Sequence, residues 1–304
     1  MSSRHPILIF LTALVVLTGC TSCGGGQATI TPPPPVTRPS FDRSLAFDAL
    51  NHQCSFGPRR PGSDGHEQCR AWLVQQVTGL ADSARVFALD LPGHSGSDPV
   101  PGPCSMSLLA NDCRGFLDTL GITRPVVLGG LSMGGYVVFE FYRKYPQRIA
   151  GLILAATRAG ADSPEVKANR DKAVTTAREK GVGAIVETML PKMLSQKSHQ
   201  TQPELVARVR KMMENTSLAG VVGDLAAMRD RTDSTALLAQ IDKPALILHG
   251  ADDQLIPPAE AQAMAAAIPN ARLQILPEAG HLLNMEQPEA FNEAVRRFLL
   301  SVAA

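Results

Sequence analysis

Short apolar runs alternate with helical spacings over the second part of the chain. Val86-Phe87-Ala88-Leu89, Val126-Val127-Leu128, Leu152-Ile153-Leu154, Ala245-Leu246-Ile247-Leu248 and Leu273-Gln274-Ile275-Leu276 each read as a short apolar strand. Between them, Leu109 to Leu120 and Tyr136 to Tyr145 carry helical patterns. Strands that alternate with helices predict a parallel sheet covered on both faces, an α/β class. From Asp162 to Gln240 no strand pattern recurs. Leu205, Val206, Val209, Met212 and Met213, and then Val221, Val222, Leu225 and Met228, follow helical spacing. This block, about 163–240, predicts a helical cap inserted between two strands, its apolar stripes serving as packing faces.

The first 78 residues follow other patterns. Arg4 and His5 precede an apolar run from Ile7 to Leu17, which is too short to cross a bilayer as a helix. A basic start, a short apolar segment and small residues predict an export signal over 1–19. Leu17-Thr18-Gly19-Cys20 resembles a bacterial lipoprotein signal, which implies acylation at Cys20 and a membrane tether outside the cytoplasm. Gly24 to Gly26 and Pro32 to Pro35 then mark a linker over 20–40. Residues 41–78 hold two helical patterns around a Gly/Pro loop, with no β-rich run.

Composition narrows the function. The chain has 304 residues, is 44% hydrophobic and has a net charge of +1, which suits a globular domain and gives no support to nucleic-acid binding. Six cysteines are too few for a disulfide scaffold. Cys54 with Cys69 and Cys104 with Cys113 are pairs that an oxidising compartment would permit, and the sequence does not fix the connectivity.

The chemistry centres on Gly130-Leu131-Ser132-Met133-Gly134, which follows the strand Val126 to Leu128 and opens a helix. Gly-x-Ser-x-Gly in a strand–turn–helix context lifts the serine hydroxyl clear of the backbone. The helix N-terminus and the Met133 N–H would favour an oxyanion there. A serine needs a base. His281, in Pro277-Glu278-Ala279-Gly280-His281, follows the last strand, and Asp253, in Gly250-Ala251-Asp252-Asp253-Gln254, follows the strand ending at Leu248. Asp252 competes with Asp253 for the role of orienting acid, and His94 and His249 are the other possible bases. No metal or cofactor is called for.

From about residue 79 to the end, the turn Asp90 to Ser97, the serine elbow, the cap, and the Asp253 and His281 loops resemble, in order, the α/β-hydrolase superfamily. The nearest kinds are cap-bearing esterases, enol-lactonases and haloperoxidase-like proteins. The resemblance implies a Ser132–Asp253–His281 triad acting on a small ester or lactone, and it favours Asp253 over Asp252. The chain departs from that family at one point. Before Val86 no apolar strand run and no His-Gly turn is read, so the first strands are expected to be missing, including the central one that supplies a second oxyanion donor. Val86 to Leu89 would then pair directly with Val126 to Leu128 or leave a gap, and activity would be impaired. In place of that strand, Phe56 to Glu67 resembles the opening of zinc aminopeptidases and glutaminyl cyclases, without their zinc ligands. The competing readings are a non-catalytic envelope protein or fusion product, and a remnant of such a zinc enzyme.

Overall fold

In the computed structural model of the chain, residues 7–13, 84–94, 97 and 104–303 are described. Cys20, the 20–40 linker, the 41–78 segment and Cys54 and Cys69 lie outside the described residues. Among the described residues six parallel strands form one sheet, in the order β2-β1-β3-β4-β5-β6. They are β1 (Ile7–Ala13), β2 (Arg85–Leu89), β3 (Val126–Ser132), β4 (Ile149–Ala155), β5 (Ala245–Gly250) and β6 (Ala271–Leu276).

The position expected to be empty is filled. β1 pairs on one side with β2, from Ile7 opposite Arg85 to Leu11 opposite Leu89, and on the other with β3, from Leu8 opposite Val127 to Ala13 opposite Ser132. Residues 7–13 of the apolar run read as the core of an export signal are therefore the strand between β2 and β3. An unbroken run of apolar residues is what a strand buried on both faces requires, and β2 and β3 offer it two open edges. Ile7 and Leu8 are both buried, on opposite faces of the sheet. The expectation of a missing strand, with β2 paired directly to β3, is corrected accordingly.

Helices cover both faces. α1 (Met106–Thr119) and α2 (Met133–Lys144) join α9 (Pro258–Ala267) on one side, where Leu109, Leu117, Val137, Phe141 and Met264 pack on Val126, Leu128 and Ile247. α1 starts where Ser105 caps it, its hydroxyl accepting from the Leu108 N–H at 3.2 Å. On the other face α11 (Pro288–Ala303) buries Phe291, Val295 and Phe298 against Val127, Ile153 and Leu248.

Between β4 and β5 the chain forms helices only: α3 (Pro164–Lys180), α4 (Val182–Met193), α5 (Gln196–Thr201), α6 (Pro203–Glu214), α7 (Leu218–Arg229) and α8 (Thr235–Leu238). Val209, Met212 and Met213 of α6 and Val221 of α7 are buried, as packing faces should be. The neck of this cap is clamped by Asp162. Its buried carboxylate pairs with Arg158 at 2.5 Å, with Arg170, and with Arg231 at 2.7 Å, so the chain entering the cap is tied to the chain leaving it. Burial raises the Asp162 pKa, but the arginines outweigh it and hold the carboxyl below its ordinary range.

Candidate active site

Ser132 ends β3 and caps α2, with φ 53° and ψ −113°. Positive φ is costly for a residue with a Cβ, and such strain persists only where the surroundings enforce it. Gly130 shows how they do so: a Cβ there would stand 2.2 Å from the Gly134 carbonyl carbon. β3 thus runs straight into the first turn of its own helix, and only glycine permits the approach. The Thr157 hydroxyl fixes the other side of the turn, donating to the Ser132 carbonyl at 2.8 Å. Met133 begins α2, so its N–H is among the helix-start donors that have no partner within the helix.

The acid and the histidine come from loops at the carboxyl ends of β5 and β6, where open α/β sheets place their sites. His281 Nδ1 lies 2.8 Å from Asp253 Oδ2. Asp253 Oδ1 accepts from the Leu255 N–H at 2.8 Å and the Ile256 N–H at 3.0 Å. It is Asp253 that faces His281; Asp252 is exposed, and its N–H bonds to the Ala279 carbonyl at 2.9 Å. Burial alone would raise the Asp253 pKa. The hydrogen bond from His281 and the two backbone N–H groups prevail, so the carboxyl titrates below its ordinary range and stays ionised. The two loops meet closely, since a Cβ on Gly250 would stand 2.1 Å from the Gly280 carbonyl oxygen.

The two alternative histidines are engaged elsewhere. His94 Nε2 pairs with Asp224 of the cap at 2.8 Å, both side chains being buried. His249, fully buried, donates from Nε2 to the Ile256 carbonyl at 2.8 Å, and Asp253 Oδ2 lies 3.4 Å away. Burial pushes the His249 pKa below its usual value. The unfolded chain then binds a proton near pH 6.5 that the folded protein refuses, so stability falls as pH drops below about 6.5. Tm at pH 5.5 should be lower than at pH 7.5, and His249→Asn should flatten that dependence; an equal slope in the variant would show that His249 does not drive it.

Cys104 and Cys113 are both free thiols, so the pairing left open for them does not occur. Burial pushes the Cys104 thiol up to about 11, which makes it a poor nucleophile. Among the described residues no cluster of three His, Cys, Asp or Glu side chains could hold a metal ion, and no helix is long and apolar enough to cross a membrane.

Comparison with known proteins places this arrangement. Residues 61–288 match the alpha/beta hydrolase fold family, which therefore begins within the segment read as peptidase-like. Over 221 residues the chain is 29% identical to 3-oxoadipate enol-lactonase 2 of Acinetobacter baylyi, covering 73% of this chain and 80% of that enzyme. It is 32% identical over 225 residues to a 2-hydroxy-6-oxononadienedioate/2-hydroxy-6-oxononatrienedioate hydrolase of Pseudomonas putida, covering 72% of this chain and 78% of the relative. A solved esterase from Thermogutta terrifontis superposes with a TM-score of 0.74 at 42% identity, over 75% of this chain and 84% of that one. With its parallel sheet, its serine elbow and relatives that are hydrolases, the chain is an esterase-like enzyme and belongs to the alpha/beta hydrolase fold family.

Proposed function

We propose that the chain hydrolyses carboxylic esters or lactones of small molecules through Ser132, His281 and Asp253. The observation that carries this reading is the 2.8 Å His281–Asp253 pair, held at the carboxyl ends of β5 and β6, the same end of the parallel sheet at which the strained elbow of β3 presents Ser132. The similarity to an enol-lactonase, a dioate hydrolase and an esterase supports the substrate class.

In the proposed reaction, Ser132 Oγ attacks the carbonyl carbon while its proton passes to His281 Nε2. The imidazolium that forms is stabilised by Asp253 through Nδ1. Negative charge develops on the carbonyl oxygen and is met by the Met133 N–H at the start of α2. The C–O bond to the leaving alcohol breaks as that oxygen takes the proton from His281. Water then gives its proton to His281 and attacks the acyl carbon, and Ser132 leaves as a hydroxyl with the acid released. Ala13 of β1 lies opposite Ser132 in the sheet.

Kinetics with p-nitrophenyl butyrate and an enol-lactone test the assignment. Asp253→Asn should lower kcat by about 10⁴-fold, because an amide cannot hold the imidazole in the required tautomer. Asp252→Asn should stay within about twofold, as exposed changes outside the machinery usually do little. The reverse ranking would overturn the reading.

We further propose that the same N-terminal run acts as an export signal, cut before Cys20, with Cys20 acylated. This is supported by Arg4 and His5, the apolar run and Leu17-Thr18-Gly19-Cys20. Residues 7–13 cannot serve both ends, because a cut before Cys20 removes β1. On this reading the uncut chain is the hydrolase, and the processed, tethered chain lacks that activity. Mass spectrometry of the amino terminus in membrane and soluble fractions should find acylated Cys20 in the first; an uncut or unmodified terminus in the membrane fraction would overturn the proposal.

A further inference from the structure

Glu286, the last residue of α10 (Leu283–Glu286), is a buried carboxylate five residues past His281, and the triad makes no use of it. Its two oxygens face in different directions. Oε1 accepts from the N–H of Gly280, the residue just before His281, at 2.8 Å. Oε2 accepts from the Ser195 N–H at 2.8 Å and from the Ser198 hydroxyl at 2.7 Å, both at the junction of α4 and α5 in the cap. Ser195 and Ser198 are themselves buried, and the Ser195 hydroxyl accepts from the Ser198 N–H at 3.1 Å.

The backbones of these two segments also touch. A Cβ on Gly280 would stand 2.5 Å from the Ser195 nitrogen and 2.7 Å from the Leu194 carbonyl carbon, and the Leu282 N–H donates to the Met193 carbonyl at 3.1 Å. The cap segment 193–198 therefore rests on the loop that carries His281.

We propose that Glu286 is a positioning residue that sets His281 by the seating of the cap, an inference that rests on the Ser132–His281–Asp253 reading. A carboxylate is needed because both sides present donors. Glutamine would turn its NH₂ toward either the Gly280 N–H or the Ser195 N–H, and one link would become a donor facing a donor. Its loss would let the His281 loop drift from Asp253, and small displacements of a catalytic group cost rate steeply.

The test is steady-state hydrolysis of p-nitrophenyl butyrate by wild type, Glu286→Gln and Ser198→Ala, per active site titrated with a fluorophosphonate, and by His281→Ala per folded chain. Glu286→Gln should lower kcat by about tenfold with KM within about twofold. A loss confined to kcat is what a misplaced His281 gives, and a merely structural role would not produce that split. Ser198→Ala keeps the Gly280 and Ser195 links and should show a smaller drop in the same direction; it decides the matter if Glu286→Gln does not fold. Wild-type kcat per titrated site in folded Glu286→Gln and Ser198→Ala, with only Tm lowered, would overturn the proposal and leave the triad standing. Near-wild-type activity in His281→Ala would overturn the triad and the proposal together.

Discussion

A chain that begins at Cys20 should show no cooperative melting transition and no hydrolysis of p-nitrophenyl butyrate. Among the described strands β2 lies at one edge and meets the rest of the sheet only through β1. Removing residues 7–13 strips β2 of its sheet partner and bares the edge of β3, the strand that carries Ser132. Two exposed parallel edges favour aggregation. A gentler variant isolates the packing: Leu8 is fully buried, and Leu8→Ala should cost about 2–5 kcal/mol, read as a lowered midpoint in urea. A chain starting at Cys20 that melts cooperatively and hydrolyses at the full-length rate would show that β2 can pair directly with β3, and that β1 is dispensable.

This strand also shows where sequence reasoning reaches its limit. Ile7 to Leu11 is a continuous apolar run, and such a run has no period. It reads equally as the core of an export signal or as a strand buried on both faces. The arbiter is tertiary: two open edges, on β2 and β3, far along the chain. By contrast, β3 to β6 were legible because each short apolar run is bounded by turn residues and followed by helical spacing. β3 runs on through Gly129 and Gly130 to Ser132, beyond the Val126 to Leu128 expected, because glycine is a poor strand signal even where close packing demands it.

The site divides in the same way. Ser132, Asp253 and His281 announce themselves through local motifs at strand ends. Glu286 and Asp162 do not, because their roles depend on partners distant in sequence: Glu286 bonds Ser195, 91 positions away. A lone acidic residue in an amphipathic stretch looks like surface until the cap is folded onto it. Asp224, the buried partner of His94, was missed for the same reason.

Ser132→Ala should lower kcat for ester hydrolysis by about 10⁴-fold or more while the protein melts within a few degrees of wild type. The hydroxyl is the only group removed. Alanine can keep the turn, since Gly130 and the Thr157–Ser132 carbonyl bond enforce the backbone and neither depends on the side chain. His281→Ala should approach the same loss, and the double variant should be scarcely worse, because residues that act as a unit are not additive. Independent, multiplicative losses would mean that the two side chains do not share one reaction.

The most direct measurement is covalent. A fluorophosphonate probe reacts with a serine only where a base has activated it. Incubated with the uncut protein and mapped by peptide mass spectrometry, it should label the peptide containing Ser132, once per chain, with labelling lost in His281→Ala and slowed in Asp253→Asn. Labelling of any other serine, or of Ser132 at an undiminished rate without His281, would contradict the account.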